Sequence, residues 1–391
     1  MIQSILFFGN YPNPVSPTLN VFFRNLIYEI ADLGVKCTVI TPVSVTKYRH
    51  RIKEIPLRRE EVTSKGSVVT VLSPRSISIT ARKIGPFDLH VTTVSLSRIA
   101  AISEAHRLKE KFDATYGHFI NVGGVCACNI GHEYNVPCFV ANGESDLNPR
   151  TYNYDSPYRI NDFKYCNGVI SVSQKNADEL KALNLIDDSL IRIFPNGVDH
   201  NLFFKRDKHE SRKKFGFNDK DIIAVYVGGF SHRKGFKRVL EAAKEIPGIK
   251  LAFAGEGDSI PFKDNILFCD RVAHEELPIL LSAADFFVLP TLNEGCCNAI
   301  LEALACGLPV ISSNLAFNDD VLSEENSIRI DPLNIDDIRG AMKSLFYDEK
   351  MRNRLSEGAI ITSKKFDITQ RAINILDFMN QQIIAEDVSK D

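Results

Sequence analysis

Short apolar runs alternate along this chain with segments of helical spacing, and no other feature restricts its fold as strongly. Residues 5–8 form an apolar run that ends at Gly9, and residues 37–40 form the next one. Between them, residues 21–33 carry apolar side chains at the spacing of one helix face. Short, continuously apolar runs are typical of parallel strands that are buried on both faces. The segment therefore predicts a strand, a helix and a second parallel strand, joined by a right-handed crossover.

The same alternation continues towards the end of the chain. Further strands are predicted at residues 68–72, 114–116, 137–141, 168–172 and 191–194 and, after a polar stretch at 205–220, at 222–227, 251–254, 286–289 and 310–312. Helices are predicted at residues 96–112, 174–183, 237–243, 275–283, 298–306 and 370–385. Strands that alternate with helices in this way indicate α/β domains with doubly wound sheets.

The length of 391 residues fits two domains of ordinary size. We expect the first domain to span residues 1–198 and the second to span residues 199–369. The terminal helix, at about residues 370–391, is expected to pack back on the first domain.

Composition and charge argue against several classes of protein. The formal net charge is −2, so no overall attraction to nucleic acid is predicted. The nine cysteines form no C-x-x-C pair, and we interpret them as small buried side chains in a reducing compartment. The first residues contain no basic region, and no apolar run reaches the roughly 18 residues that span a membrane. We therefore expect a cytoplasmic protein, soluble or peripheral at the inner face of the membrane.

Residues 293–310 carry the most chemical information. They follow a predicted strand and enter a predicted helix, and ligands of open α/β sheets bind at such strand ends. We expect Cys297, Asn298 and Ala299 to contact a bound donor there, because the free N–H groups of a helix start attract diphosphates. Glu294, in the loop, is placed to reach a sugar hydroxyl. Glu302, on the helix, is placed to accept hydrogen bonds from a ribose.

Glu294 and Glu302 have seven residues between them and are followed by Ala-Leu-Ala-Cys-Gly-Leu-Pro-Val at residues 303–310. This string resembles the signature of the retaining glycosyltransferases of the GT-B fold, family four. Residues 195–199 resemble that family's interdomain motif, and residues 166–173 resemble the strand upstream of it. The resemblance implies two Rossmann-like, doubly wound domains that face each other across a cleft. It also implies that the C-terminal domain binds a nucleotide sugar and the N-terminal domain binds the acceptor.

A second donor segment is predicted at residues 227–235, where glycines follow a strand and allow close approach of a ligand. Lys234 lies near the next helix start and provides a point charge for a diphosphate. Gly229 stands where the family usually has an arginine, and Arg233 is the candidate to replace that arginine. Val272 resembles the family's loop over the nucleotide base, although Asp270 replaces the usual glycine there.

Three residues of the N-terminal half are candidates for the acceptor site. Asn20 lies in the family's first loop, where a glycine pair is common. His118 ends a strand and resembles the family's strand-end histidine, which lies near the reacting centre. Asp146 is placed to bind an acceptor hydroxyl or to cap a helix. The resemblance makes Glu294, His118 and Lys234 the candidate catalytic residues.

No strand ends in a D-x-D motif, which metal-dependent transferases use to hold Mg²⁺ or Mn²⁺ against the diphosphate. We therefore predict a metal-independent enzyme with no metal site and no cofactor beyond its nucleotide-sugar substrate. Residues 47–59 hold six lysines and arginines interleaved with aliphatic residues. This segment is either a solvated loop or a contact with an anionic membrane that carries a lipid-linked acceptor.

The predicted activity is that of a retaining hexosyltransferase. It would move a sugar from a UDP- or GDP-sugar to a glycan, lipid-linked or small-molecule acceptor in the synthesis of cell-surface polysaccharide or glycoconjugate. Domain closure is expected to exclude water as the sugar becomes oxocarbenium-like. Two alternatives stay open: an epimerase or hydrolase of nucleotide sugars with the same fold, and a non-catalytic two-domain ligand-binding protein.

Overall fold

A computed structural model describes residues 1–79, 83–84, 87–145, 147, 163–184, 186–260 and 264–390, with the backbone alone for residues 83–84, 87–88 and 385–390. The chain divides into two compact units. Unit 1 consists of Met1–Pro195 and Thr369–Asp391, and unit 2 consists of Asn196–Ile368. The first segment of unit 1 ends at Pro195, three residues before residue 198, where the first domain was predicted to end.

Unit 1 is built on a sheet of eight strands in the order β12-β11-β10-β9-β1-β2-β5-β4. The eight strands are β1 (Ser4–Phe8), β2 (Lys36–Ile40), β4 (Arg58–Val62), β5 (Val68–Leu72), β9 (Ala114–His118), β10 (Cys138–Asn142), β11 (Cys166–Ser171) and β12 (Ile191–Ile193). Two further sheets have two strands each: β3 (Val43–Ser44) with β6 (Arg75–Ser76), and β7 (Lys83–Ile84) with β8 (Phe87–Asp88). Its described helices before the last are α1 (Val21–Asp32), α2 (Leu89–Ala105), α3 (Val125–Tyr134) and α4 (Gln174–Ala182). All pairings in this sheet are parallel except that of β4 with β5.

Unit 2 is built on six parallel strands in the order β15-β14-β13-β16-β17-β18. They are β13 (Ile223–Val227), β14 (Lys250–Ala254), β15 (Ile266–Asp270), β16 (Phe286–Leu289), β17 (Val310–Ser313) and β18 (Ser327–Ile330). The helices are α5 (Lys208–Phe215), α6 (Phe236–Ala243), α7 (Leu277–Ala283), α8 (Asn298–Ala305), α9 (Ile335–Tyr347) and α10 (Glu349–Ser363). Every side chain of β16 is buried, as expected for a strand covered on both faces by helices.

The terminal helix α11 (Ile368–Lys390) packs on unit 1. Ala372, Ile375, Phe378 and Met379 are buried in the same apolar cluster as strand β1 and helix α1. Arg371 donates a hydrogen bond to the carbonyl of Pro195 over 2.7 Å, which ties the helix to the end of the unit's first segment. Among the described helices, α11 included, none has the length and apolarity needed to cross a membrane.

The α/β prediction is confirmed, and both units have the strand order of a doubly wound sheet. Several elements differ from the sequence-based expectations. The polar stretch at 205–220 contains helix α5, which begins at the N-cap Asp207. Helix α2 begins seven residues before the predicted start at Leu96. Cys269 and Asp270, expected in a loop, are the last residues of β15.

Candidate functional site

The candidate donor site of unit 2 lies where the strand order reverses. Strands β13 and β16 are neighbours in the sheet. After β13 the chain continues through α6 to β14 on one side, and after β16 it continues through α8 to β17 on the other side. Crevices at the carboxyl ends of such strand pairs are the usual ligand sites of open α/β sheets. The loops at 228–235 and 290–297 leave these two strand ends and carry most of the residues that the sequence singled out.

Glu294 is the centre of a cluster of charged side chains. Its Oε1 atom lies 2.6 Å from Lys234 Nζ and 2.8 Å from Arg233 Nη1. The hydroxyl of Thr291 donates to the same oxygen over 2.7 Å. The structure thus brings together the two cations of one loop and the carboxylate of the other.

The cluster keeps a net positive charge, because two cations surround one carboxylate. The Lys234 side chain is only 17% exposed. Burial lowers the pKa of Lys234, but the neighbouring Cys297 and Glu294 outweigh burial and the pKa is raised overall. Lys234 is therefore a fixed cation at neutral pH, which is the property that a diphosphate site requires.

Gly235 allows the loop to turn into α6 with Lys234 held in this position. Its φ is +83°, and a Cβ there would lie 2.5 Å from the carbonyl oxygen of Pro290. Gly229 is different, because the nearest atom that a Cβ there would meet, within the part of the chain that the structure describes, is the carbonyl oxygen of Glu256 at 3.8 Å. A side chain could therefore be accommodated at Gly229, where the family usually has an arginine. Arg233 lies beside Glu294 instead.

The start of helix α8 has unused hydrogen-bonding capacity. Its N-cap residue, Cys297, provides no side-chain hydrogen bond to the first turn. The Oδ1 atom of Asn298 is buried, and no hydrogen-bond partner for it lies among the described residues. Asn196, which the sequence analysis did not single out beyond its motif, donates to the carbonyl of Cys296 over 3.1 Å. A ligand with anionic oxygens at this helix start would complement the free N–H groups.

Glu302 lies further along α8, and its partner was not predicted. His274 Nε2 lies 3.3 Å from Glu302 Oε1, and the His274 ring packs edge-on against Phe203. Val272 is half-buried against the core of unit 2 in the loop that follows β15, near the end of that strand. Asp270 is exposed beside it.

His118 in unit 1 lies in an apolar environment. It is 5% exposed, stacks on Phe23 at 4.1 Å between ring centroids, and has no hydrogen-bond partner for either ring nitrogen within the described part of the chain. Burial lowers the pKa of His118 to about 3, so its ring is neutral at physiological pH. His118 also lines a cavity of about 490 Å³, together with Gly9, Asn10, Thr93, Asn121 and Glu144.

Glu144 is a cavity residue that sequence reasoning missed. Its carboxylate accepts hydrogen bonds from the backbone N–H groups of Ile120 and Gly143. Burial raises the pKa of Glu144 to about 7, so the group can hold or release a proton near neutral pH. The sequence signal that could have found Glu144 was its position two residues after strand β10. Strand β9, which ends at His118, is the parallel neighbour of β10, so both residues lie at the same edge of the sheet.

The other predicted acceptor residues have different placements. Asn20 is the N-cap of α1 with φ of 49°, and its side-chain amide donates to the carbonyl of Asn10 over 3.1 Å. Asp146 lies outside the described residues. Asn142, the last residue of β10, is fully buried and donates to the carbonyl of Asn176 over 2.8 Å.

Comparison with known proteins adds to this geometry. Residues 207–361, all within unit 2, match the family model of the glycosyl transferases group 1. TuaC of Bacillus subtilis, named as a teichuronic acid biosynthesis glycosyltransferase, is 27% identical over 340 residues, which cover 82% of this chain and 83% of TuaC. An N,N'-diacetylbacillosaminyl-diphospho-undecaprenol alpha-1,3-N-acetylgalactosaminyltransferase of Campylobacter jejuni is 25% identical over 238 residues, 57% of this chain and 63% of that protein.

A similarity of fold extends over both units. The crystal structure of HepE from Anabaena, solved with UDP and glucose, matches with a TM-score of 0.69 and 17% sequence identity. The match covers 97% of this chain and 100% of that structure. The chain therefore has the GT-B fold, and its residues 207–361 match the group 1 glycosyl transferases.

Proposed function

We propose that this glycosyltransferase moves a sugar from a UDP- or GDP-sugar to a glycan or lipid-linked acceptor with retention at the anomeric carbon. The donor binds in unit 2 and the acceptor in unit 1. The observation that carries the proposal is the cluster of Lys234 and Arg233 around Glu294, next to the uncapped start of α8. The complex of HepE with UDP and glucose supports a uridine nucleotide as donor.

The diphosphate is the group that this cluster recognises. Lys234 and the first N–H groups of α8 bind its oxygens and stabilise the charge that develops on the leaving phosphate. Arg233 supplies the second cation in place of the arginine missing at Gly229. Glu294 exchanges part of its contact with the cations for a sugar hydroxyl, and Glu302 accepts from the ribose.

Retention requires either a protein nucleophile or attack from the face that the phosphate leaves. Glu294, whose Oε1 already has two cations and the Thr291 hydroxyl as partners, is a weak nucleophile. We therefore propose front-face attack, as the resemblance to retaining transferases implies, with the leaving phosphate taking the proton from the acceptor hydroxyl. No metal is needed in this scheme, because Lys234, Arg233 and the helix start offset the phosphate charge.

In this proposal the acceptor binds in the unit 1 cavity, which His118 and Glu144 line. A neutral His118 ring provides one hydrogen-bond donor and one hydrogen-bond acceptor for a hydroxyl of the acceptor. Glu144 provides a carboxyl group that holds a proton near neutral pH. The Campylobacter relative, whose name gives a diphospho-undecaprenol acceptor, supports a lipid-linked sugar here.

Thermal unfolding with UDP, GDP and ADP, each with and without EDTA, tests the donor site. A nucleotide that binds the native state raises the melting temperature, by about 2.7 kcal/mol of stability at 100 times its Kd. We expect one nucleotide to do so, equally with EDTA, and Glu302→Ala to reduce the shift strongly. Glu357→Ala, which alters an exposed glutamate of α10, is the matched control and should keep the full shift.

If none of the three nucleotides raises the melting temperature, or if EDTA abolishes the rise, the metal-independent donor site is contradicted. An equal shift in Glu302→Ala and Glu357→Ala would remove the role of Glu302 in ribose binding. These outcomes are separable from loss of folding, because both variants can be compared in their melting temperatures without ligand.

We also propose that unit 1 contacts an anionic membrane through a groove beside its basic segment. Leu57 and Ile99 line this groove and are each 60% exposed, so two exposed aliphatic side chains share one surface groove. Arg58 follows Leu57 directly, and Arg75 ties the turn that contains Lys53 to the same surface. The groove also carries Arg75 and Arg107, and Glu104 pairs with Arg107. Exposed apolar side chains beside cations match the interface of an anionic bilayer.

Vesicle co-sedimentation tests this contact. We expect wild-type protein to bind vesicles of phosphatidylglycerol and phosphatidylcholine several-fold better than vesicles of phosphatidylcholine alone, and the double variant Leu57→Asp, Ile99→Asp to lose that preference. Leu333→Asp, at a site 63% exposed in unit 2, is the control and should bind like wild type. Equal binding by all three proteins would make residues 47–59 an ordinary solvated segment.

A further inference from the structure

Three cysteines that lie far apart in sequence meet inside unit 1. Cys128 belongs to α3, Cys138 begins β10 and Cys166 begins β11. Their Sγ atoms all lie within 4.8 Å of one another, and those of Cys128 and Cys138 are 3.3 Å apart. Each residue is less than 7% exposed. Among the described residues, this is the one group of three or more potential metal ligands at such short range.

The fold itself brings these thiols together. Cys138 and Cys166 are direct partners on neighbouring parallel strands, so their side chains leave the sheet side by side. Helix α3 approaches this point closely because Gly131 has no side chain. A Cβ at Gly131 would lie 2.8 Å from the Cβ of Cys138. This close approach places Cys128, one turn earlier on α3, against the two strand cysteines.

We propose that Cys128, Cys138 and Cys166 form a binding site for a thiophilic divalent ion, with Zn²⁺ as its natural occupant. Zinc binds thiolates at about 2.3 Å, so three thiolates on one tetrahedral zinc lie roughly 3.8 Å apart. The three Sγ atoms already lie within 4.8 Å of one another, so they can enclose the ion with small side-chain movements. Soft thiolate ligands favour zinc over Mg²⁺ or Ca²⁺.

A cavity gives an ion and a fourth ligand access to the cluster. Cys166 lines a cavity of about 370 Å³ together with His132, Tyr165 and Lys164. His132 lies one helical turn after Cys128 on α3, and its ring stacks on Tyr165 at 3.5 Å between centroids. The fourth position of the zinc is filled from this cavity, by the imidazole or by water. Binding transfers the thiol protons to solvent, so affinity rises with pH.

The site is separate from the proposed donor and acceptor sites. The cavity beside Cys166 shares no lining residue with the one that His118 lines. The ion would connect α3 with β10 and β11 and so stabilise unit 1, without contacting substrate. This role is compatible with metal-independent transfer at Lys234.

Two simpler states compete with the metal site. The thiols can stay protonated, since Cys138 Sγ lies 2.9 Å from the carbonyl oxygen of Tyr165, to which it can donate. Cys128 and Cys138 can also form a disulfide, which requires their sulfurs to approach from 3.3 Å to about 2.05 Å. A disulfide would remove two of the three sulfurs from the site, and thiols that keep their protons when metal is offered would bind no ion; the experiment separates both outcomes from the metal site.

Metal titration of the full-length, fully reduced and metal-free protein tests the proposal. Cd²⁺ serves as a spectroscopic probe, because cadmium thiolates have an ultraviolet charge-transfer band. We expect one Cd²⁺ per chain, displaced competitively by Zn²⁺, and a rise in melting temperature with Zn²⁺. Cys166→Ala should lose the band and the rise. Cys306→Ala, which alters a buried cysteine of unit 2, should keep both.

X-ray absorption of the zinc-loaded wild-type protein keeps the test valid if Cys166→Ala fails to fold. The proposal requires three sulfur neighbours per zinc at about 2.3 Å. No band with the wild-type protein, or a zinc with fewer than three sulfurs, would overturn it. A thiol count two short of nine before reduction, with no zinc binding afterwards, would assign the cluster to a disulfide instead.

Discussion

Replacing Lys234 by alanine is expected to lower kcat, measured as the rate at which the nucleotide is released from the nucleotide sugar, by about 100- to 1,000-fold. This is the usual effect of removing one group that stabilises the charge that develops in the transition state. Lys234 is the less exposed of the two cations beside Glu294, and its raised pKa keeps it charged. Its loss removes a fixed positive charge from the leaving phosphate. The assay follows release of the nucleotide that the thermal titration identifies, at saturating donor, so that kcat is measured.

Lys237→Ala is the matched control for this experiment. Lys237 lies one turn further on, in α6, but its side chain is 69% exposed and its ion pair with Asp258 spans 3.4 Å. We expect its kcat to stay within a factor of about two of wild type, in line with the small energies of exposed pairs. Equal rates for Lys234→Ala and wild type would mean that Lys234 serves Glu294 alone. Arg233→Ala then measures whether Arg233 replaces the arginine missing at Gly229.

Replacing Arg212 by methionine lowers the free energy of unfolding of unit 2 by about 3–5 kcal/mol, because it leaves a buried carboxylate without its main partner. Arg212 and Asp285 form an ion pair at 2.8 Å, with side chains 3% and 5% exposed. The guanidinium also donates to the carbonyls of Ala283, Asn218, Asp219 and Asp221. Methionine fills a similar volume and satisfies none of these groups.

Lys208→Met separates this effect from a general loss of surface charge. Lys208 binds the other oxygen of Asp285 at 2.6 Å, but its side chain is 47% exposed. We expect a change of about 0–1 kcal/mol for this variant. Urea denaturation followed by circular dichroism measures both values. A change below 1 kcal/mol for Arg212→Met would show that solvent reaches Asp285 and that the pair is not a buried one.

Most of the sheet was predictable because its strands are continuously apolar. The run Phe-Phe-Val-Leu of β16 is buried throughout, as its composition indicates. Strand β4, by contrast, reads Arg-Arg-Glu-Glu-Val and alternates exposed with half-buried residues at the sheet edge. A charged edge strand has no apolar run to detect, although its charges discourage pairing with other chains. Helix α5 was missed for the same reason, since its charged sequence buries only Ser211 and Arg212.

The candidate donor site was predictable in part because its residues lie in two short segments. Lys234, Glu294 and Asn298 follow strand ends, and neighbouring parallel strands bring their carboxyl ends to one edge. The partner of Glu302, His274, follows a different strand and carries no signal of its own in the sequence. Glu144 was missed because its raised pKa results from burial, which a single sequence does not reveal.

The sequence by itself determined the α/β class, the two doubly wound sheets and the segments that form the candidate donor site, because apolar periodicity and strand-end loops are local properties. The tertiary structure alone decided which distant groups meet. Cys128, Cys138 and Cys166 show no metal-binding spacing along the chain, and only the pairing of β10 with β11 under α3 places their sulfurs within 4.8 Å. Contacts of this kind depend on register and helix packing, which link residues irrespective of their separation in sequence.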